Sequence, residues 1–144
     1  MQHPKRSSPF KPVWVLFAIL VGFTAISIIA RSAGGQDRIP WRTDVSTAVA
    51  DGAREKKPVL LYFTASWCGP CQRMKGATWS DSDVEAKLKG YVPVKVDIDR
   101  ERETAIAYHI EAVPTFVVLD ADGNTTKRTT NFMPADEFLA WIGN

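Results

Sequence analysis

The sequence predicts an α/β domain in three layers, a mixed central sheet flanked by helices, preceded by one transmembrane helix. Three observations lead there. An uncharged apolar run occupies residues 13–30. Beyond it, short apolar runs alternate with amphipathic stretches, the pattern of strands joined by crossover helices. Late in the chain, two strand-like runs are separated by a turn sequence, which adds an antiparallel hairpin to the parallel part.

The first run, Val13 to Ala30, holds eighteen residues without charge. As a helix it reaches about 27 Å, close to the thickness of a bilayer's hydrocarbon core. Trp14 stands near its start, where an indole favours the headgroup boundary. A cleaved secretory signal shares the basic start and apolar core, but the run is long for one, and Ala30-Arg31-Ser32-Ala33 is a poor cleavage site. The expectation is therefore a short basic cytoplasmic tail over 1–12, an anchor over 13–30, a polar, Gly-containing tether over 31–40, and a domain over 41–144. Lys5, Arg6 and Lys11 favour a cytoplasmic N-terminus, and a long C-terminal domain translocates largely regardless of charge. The expected location is the cytoplasmic membrane in a single pass, with the domain facing the periplasm or cell exterior.

The 144 residues carry 18 Lys and Arg, of which these three precede the anchor, so the remaining 15 stand against 16 acidic residues. A near-neutral domain lacks the basic footprint of a nucleic-acid binder.

Within the domain, Thr43 or Asp44 can cap a helix running to about Lys56, which Lys57-Pro58 ends. Val59 to Thr64 is a nearly continuous apolar run, as expected of a central strand covered on both faces. A helical stretch follows Cys68–Cys71 until Gly76-Ala77-Thr78 interrupts it. Ser80 or Ser82 can cap a further helix through Lys89. Tyr91 to Ile98 reads as a strand and Glu101 to His109 as a helix, with His109 complementing its C-terminal dipole. Thr115 to Leu119 and Thr125 to Thr130 form the hairpin, closed by Asp120 to Asn124. Pro134 suits the first position of a last helix, Ala135 to Ile142.

The chemistry lies in the only two cysteines, Cys68 and Cys71, at a strand-to-helix junction. The first cysteine of such a pair meets unpaired backbone N–H groups at the helix start, which stabilise a thiolate. That thiolate can open a substrate disulfide, and Cys71, one turn inside, can resolve the mixed disulfide. Gly69 keeps the turn tight, and Pro70 can begin the helix because its missing N–H would be unpaired there. Trp67 offers an apolar contact surface. Half a zinc site is the competing reading, but there is no second cysteine pair, and His3 and His109 lack ligand spacing. A purely structural disulfide across two residues would constrain little chain entropy. No metal and no cofactor are expected, since the two sulfurs carry the electrons. Val113-Pro114-Thr115 is a second, weaker signal, a proline directly before a buried-looking strand. Asp97, Asp99 and Glu101 alternate as in a calcium loop but lack its glycine and final glutamate, and read as a strand end and helix start. Asn124-Thr125-Thr126 fits a glycosylation acceptor but needs no role beyond the turn. Trp41 and Trp79 read as packing anchors.

Together, Trp67-Cys68-Gly69-Pro70-Cys71, Val113-Pro114-Thr115 and this element order resemble the thioredoxin superfamily over about residues 41–142. The resemblance implies a thioredoxin-like three-layer fold, a cis Pro114 beside the cysteines, and a substrate groove involving Val113, Thr115 and Asn131. It also implies that Lys95 holds the second-strand lysine position. Lys57-Pro58-Val59, Ala77 to Asp81 and Asn131-Phe132-Met133 are similar to the C-terminal thioredoxin-like domain of the bacterial reductase DsbD. Two departures matter. Tyr62 stands where the family has a buried Asp, and Lys75 where the DsbD domain has a Glu. The sequence thus assigns no carboxylate as proton acceptor for Cys71. Asn131 replaces a groove glycine, and asparagine tolerates the left-handed backbone better than most residues. The expected function is a thiol–disulfide oxidoreductase reducing extracytoplasmic protein disulfides, supplied by a membrane electron donor of the DsbD type. The alternatives are an oxidase or isomerase, or a binding module that docks a membrane partner.

Overall fold

The computed structural model describes residues 35–143, and the segment expected to span a membrane lies outside them. Among the described residues no helix is long and apolar enough to cross a membrane. The elements follow in the order α1 (Val45–Glu55), β1 (Val59–Thr64), α2 (Gly69–Ala77), α3 (Ser82–Leu88), β2 (Val92–Asp97), α4 (Arg102–Ala107), β3 (Thr115–Leu119), β4 (Thr125–Thr130) and α5 (Ala135–Gly143).

The sheet runs β2-β1-β3-β4, with β1 parallel to β2 and antiparallel to β3, and β3 antiparallel to β4. The apolar run of β1 therefore lies inside the sheet, where both faces must be covered. Its side chains alternate between two cores, as strand geometry requires. Leu60 and Tyr62 join Met74, Trp79, Phe116, Phe138 and Ile142 on one face. Val59, Leu61 and Phe63 join Ala48, Val94, Val96 and Val117 on the other. Pro93 is tolerated because β2 is an edge strand. Its carbonyl accepts the Arg42 N–H at 2.9 Å, so its nitrogen also points away from β1. β4 is the opposite edge, polar and half-exposed, with Lys127 and Arg128 among its residues.

Asp44 caps α1, accepting the Thr47 N–H. The cap of α3 is Asp81, and neither Ser80 nor Ser82 has that role; its carboxylate accepts from the N–H groups of Asp83 and Val84. An aspartate cap places full negative charge at the positive helix end. Pro134 precedes α5, and its carbonyl accepts the Phe138 N–H. The cation at the end of α4 is supplied by Arg128, whose guanidinium donates to the carbonyls of Tyr108 and His109 at 2.7 and 2.6 Å. His109 instead takes a left-handed backbone, φ 51°.

Residues 35–40, expected as part of a tether, pack on the domain. The Arg38 N–H donates to the Trp79 carbonyl, and Ile39 is buried in the first core. The Asp37 carboxylate accepts from the Ile39 N–H, the Trp41 indole and Lys95 Nζ.

Candidate functional site

Cys68 is the N-cap of α2, with an extended backbone that lets its side chain turn back over the helix start. Its Sγ accepts the Cys71 N–H at 3.2 Å and is bonded to Cys71 Sγ in a disulfide. In the reduced protein the same N–H and helix end would favour a thiolate at Cys68. Pro70 lies in the first turn, where the backbone needs no donor. Both cysteines are nearly buried, whereas Gly69 and Pro70 are exposed.

Trp67 is exposed on this surface, 66% accessible, and its indole donates to Asp99 at 2.9 Å. That bond fixes the ring beside Cys68. The Val113–Pro114 peptide bond is cis, and the Val113 carbonyl lies 3.5 Å from Cys68 Sγ. The Pro114 carbonyl accepts the Asn131 N–H at 3.0 Å, and Asn131 has φ 96°, the left-handed conformation that a side-chain amide accommodates. Thr115 is buried. Its hydroxyl donates to the Ala112 carbonyl at 2.7 Å and sits 3.0 Å from that of Thr130, so it shapes this loop from below. The fold thus gathers Trp67, Cys68, Val113 and Pro114 around the disulfide, with Asn131 behind the proline loop.

Behind Cys71 lies Tyr62, its hydroxyl 3.5 Å from the Cys71 carbonyl. Burial pushes its phenol above the usual value, against smaller opposing effects of Thr64 and Trp79, and the Asp37 charge adds least to the rise. Lys95 pairs with Tyr62 in the register of β1 and β2. Its Nζ lies 2.9 Å from Asp37 Oδ2 and over the rings of Trp41 and Tyr62, at 5.3 and 6.0 Å from their centroids. Among the described residues no cluster of His, Cys, Asp and Glu is arranged to hold a metal ion.

Sequence reasoning missed Asp37, whose three partners are set by folding, and the contact between Trp67 and Asp99. The alternation of Asp97, Asp99 and Glu101 beside the end of a strand was the one visible signal for the latter.

A helix-capping Cys-x-x-Cys disulfide beside a cis-proline loop, on this mixed sheet, defines a dithiol–disulfide oxidoreductase. The family model described as thioredoxin-like matches residues 40–121, and the chain belongs to that family. It is 40% identical over 91 residues to thioredoxin Y, chloroplastic, of Oryza sativa subsp. japonica, covering 62% of this chain and 51% of that protein. It is 34% identical over 105 residues to the thiol:disulfide interchange protein DsbD of Vibrio vulnificus, covering 69% of this chain and 18% of that protein. The solution structure of a thioredoxin from Thermus thermophilus superposes with a TM-score of 0.63 at 29% identity, over 71% of this chain and 82% of that one. The chain spans about half the length of the first relative and under a fifth of the second.

Proposed function

We infer that this protein is a membrane-anchored reductase of protein disulfides outside the cytosol, recharged by a membrane electron donor of the DsbD type. The observation that carries the direction is the Cys68-Gly69-Pro70-Cys71 turn, in which one backbone N–H meets the Cys68 sulfur. A strong oxidant such as DsbA owes its high potential to a stabilised reduced form. Among the described residues no Lys, Arg or His side chain hydrogen-bonds either sulfur of this pair. Thioredoxin shares the Gly-Pro dipeptide and sits at about −270 mV, the reducing end of the scale.

The anchor rests on the uncharged run over 13–30, and the cellular side on Lys5, Arg6 and Lys11. An oxidising compartment would leave the pair as a disulfide, so a reductase there needs electrons delivered through the membrane. The similarity to DsbD supports a donor of that kind.

Equilibrating the protein with thiol–disulfide buffers and counting free thiols by alkylation at each potential tests the direction. A midpoint near about −270 mV is expected, and one near about −120 mV makes the protein an oxidase. Alkylating the cysteines of reductant-treated intact cells with an impermeant maleimide tests the side. Labelling before lysis is expected, and protection until lysis overturns the extracytoplasmic assignment.

A further inference from the structure

Cys71 must lose a proton before its sulfur can attack, and β1 offers only the raised phenol of Tyr62 at the nearest position. The space beside Cys71 is nevertheless polar. A cleft of about 180 Å3 is lined by Tyr62, Cys71, Lys75, Trp79, Lys95 and Asp97 among others. Trp79 is 1% exposed, and its indole N–H has no hydrogen-bond partner, although it lies close enough to Tyr62 to lower that phenol slightly. A cleft of this size, lined by polar and charged side chains, has room for water beside Cys71.

The charged and titratable groups around this cleft are few. Lys75 comes from α2, Tyr62 from β1, and Lys95 and Asp97 from β2. Asp37, from the segment before α1, is paired with Lys95. Of the two carboxylates, Asp37 is committed to Lys95, Trp41 and Ile39, whereas Asp97 lines the cleft itself. Residues 95 and 97 lie two apart on one strand, so their side chains share the face that carries Tyr62.

We propose that Asp97 is the proton acceptor for Cys71, reached through water in the cleft that both residues line. Lys95, positioned by Asp37, and Lys75 add positive charge that favours the Cys71 thiolate. The Cys71 proton passes through water to the Asp97 carboxylate. The freed electron pair on Cys71 attacks Cys68 Sγ of the mixed disulfide, the Cys68–Cys71 bond forms, and the bond from Cys68 to the substrate sulfur breaks. That bonding pair leaves on the substrate sulfur, which takes a proton from Asp97 or solvent. Over the two exchange steps the substrate disulfide gains two electrons and the dithiol loses two. The proposal rests on the exchange chemistry of the site and not on its net direction, since in the reverse reaction Asp97 returns the proton.

The test uses the reduced full chain mixed with Ellman's disulfide, which releases one coloured thiolate when Cys68 attacks and a second when Cys71 closes the ring. The first phase reports the exchange reading and the second reports Asp97. A wild-type chain that releases neither thiolate would overturn both, whereas a failure confined to the variant comparison would overturn only the proton acceptor. For Asp97→Asn the first phase is expected unchanged and the second slower by about tenfold near neutral pH, a modest loss for general-base catalysis because the thiol ionises partly unaided. The gap should close above about pH 9, where hydroxide alone ionises an ordinary thiol. Asp97→Glu should stay within about threefold of wild type. Asparagine can still accept the Asp99 N–H that Asp97 now holds at 3.0 Å, so the strand end is retained. An Asp97→Asn second phase equal to wild type near neutral pH, or one slowed by the same factor at every pH, overturns the proposal.

Discussion

Replacing Asp37 with alanine should destabilise the domain by about 2–3 kcal/mol, although it lies far in sequence from the cysteines. The magnitude follows from the partners it would orphan. The carboxylate side chain is 12% exposed and accepts from the Ile39 N–H at 3.1 Å, from the Trp41 indole at 2.9 Å and from Lys95 Nζ at 2.9 Å. Hydrogen bonds to a charged group are each worth about 1.5–3 kcal/mol when the partner stays buried. Lys95 is 34% exposed and regains water, which reduces the ion pair's share to about 1 kcal/mol. The half-buried indole and the backbone N–H account for the rest. Asp37→Asn keeps an acceptor for them and should lose only about 1 kcal/mol. Denaturant unfolding of the full chain in detergent, with the Asp37→Ala, Lys95→Met cycle, separates the terms. A coupling of about 1 kcal/mol is expected. A loss below about 0.5 kcal/mol for Asp37→Ala would refute the reasoning and leave residues 35–40 as an unpacked tether.

Gly52→Ala should cost about 1–3 kcal/mol by overpacking, because a Cβ there would lie 2.7 Å from Val59 Cγ2 and 2.9 Å from the Lys57 carbonyl; an unchanged unfolding midpoint would contradict the tight α1–β1 contact. Phe138→Ala, fully buried against Trp79 and Phe116, should cost about 3–5 kcal/mol in the same assay. Trp67→Ala should leave the unfolding midpoint unchanged and raise KM for a protein disulfide, since the ring is exposed beside Cys68; an equal fall in stability would assign it a packing role. Hydrogen bonds from Thr47 and then Ser46 hold the Asp44 carboxyl at about 2, below its usual 3.8. A depressed carboxylate adds stability above its unfolded pKa and loses it as the pH falls through the folded one. The stability gap between wild type and Asp44→Asn should therefore narrow from about pH 4 to pH 2, and a constant gap would contradict the cap.

Local chemistry made much of this fold legible. The apolar run of β1 and the turn residues between β3 and β4 mark strand ends that the structure reproduces, because such signals act within a few residues. Asp120 closes that turn by accepting from the N–H groups of Asp122 and Asn124, with Gly123 at φ 85°. The cap of α3 was harder, since Ser80, Asp81 and Ser82 are all capping residues and only the chain direction chooses among them. Long-range pairings left no local trace. Asp37 and Lys95 are 58 positions apart, and Arg128 reaches α4 across 19 and 20 positions. At the site, the cysteine pair and Pro114 stood out by residue type and spacing. The cleft did not, because Asp97 and Trp79 come to Cys71 from separate elements.

The central claim is that Cys68 attacks disulfides of other proteins and Cys71 resolves the adduct. Expressing the Cys71→Ser chain and isolating its adducts under non-reducing conditions tests it most directly. Mixed disulfides joining Cys68 to partner cysteines are expected, dissolved by reductant and absent when both cysteines are serine. Recovery of no Cys68-linked partner from cells making the Cys71→Ser protein would contradict the account.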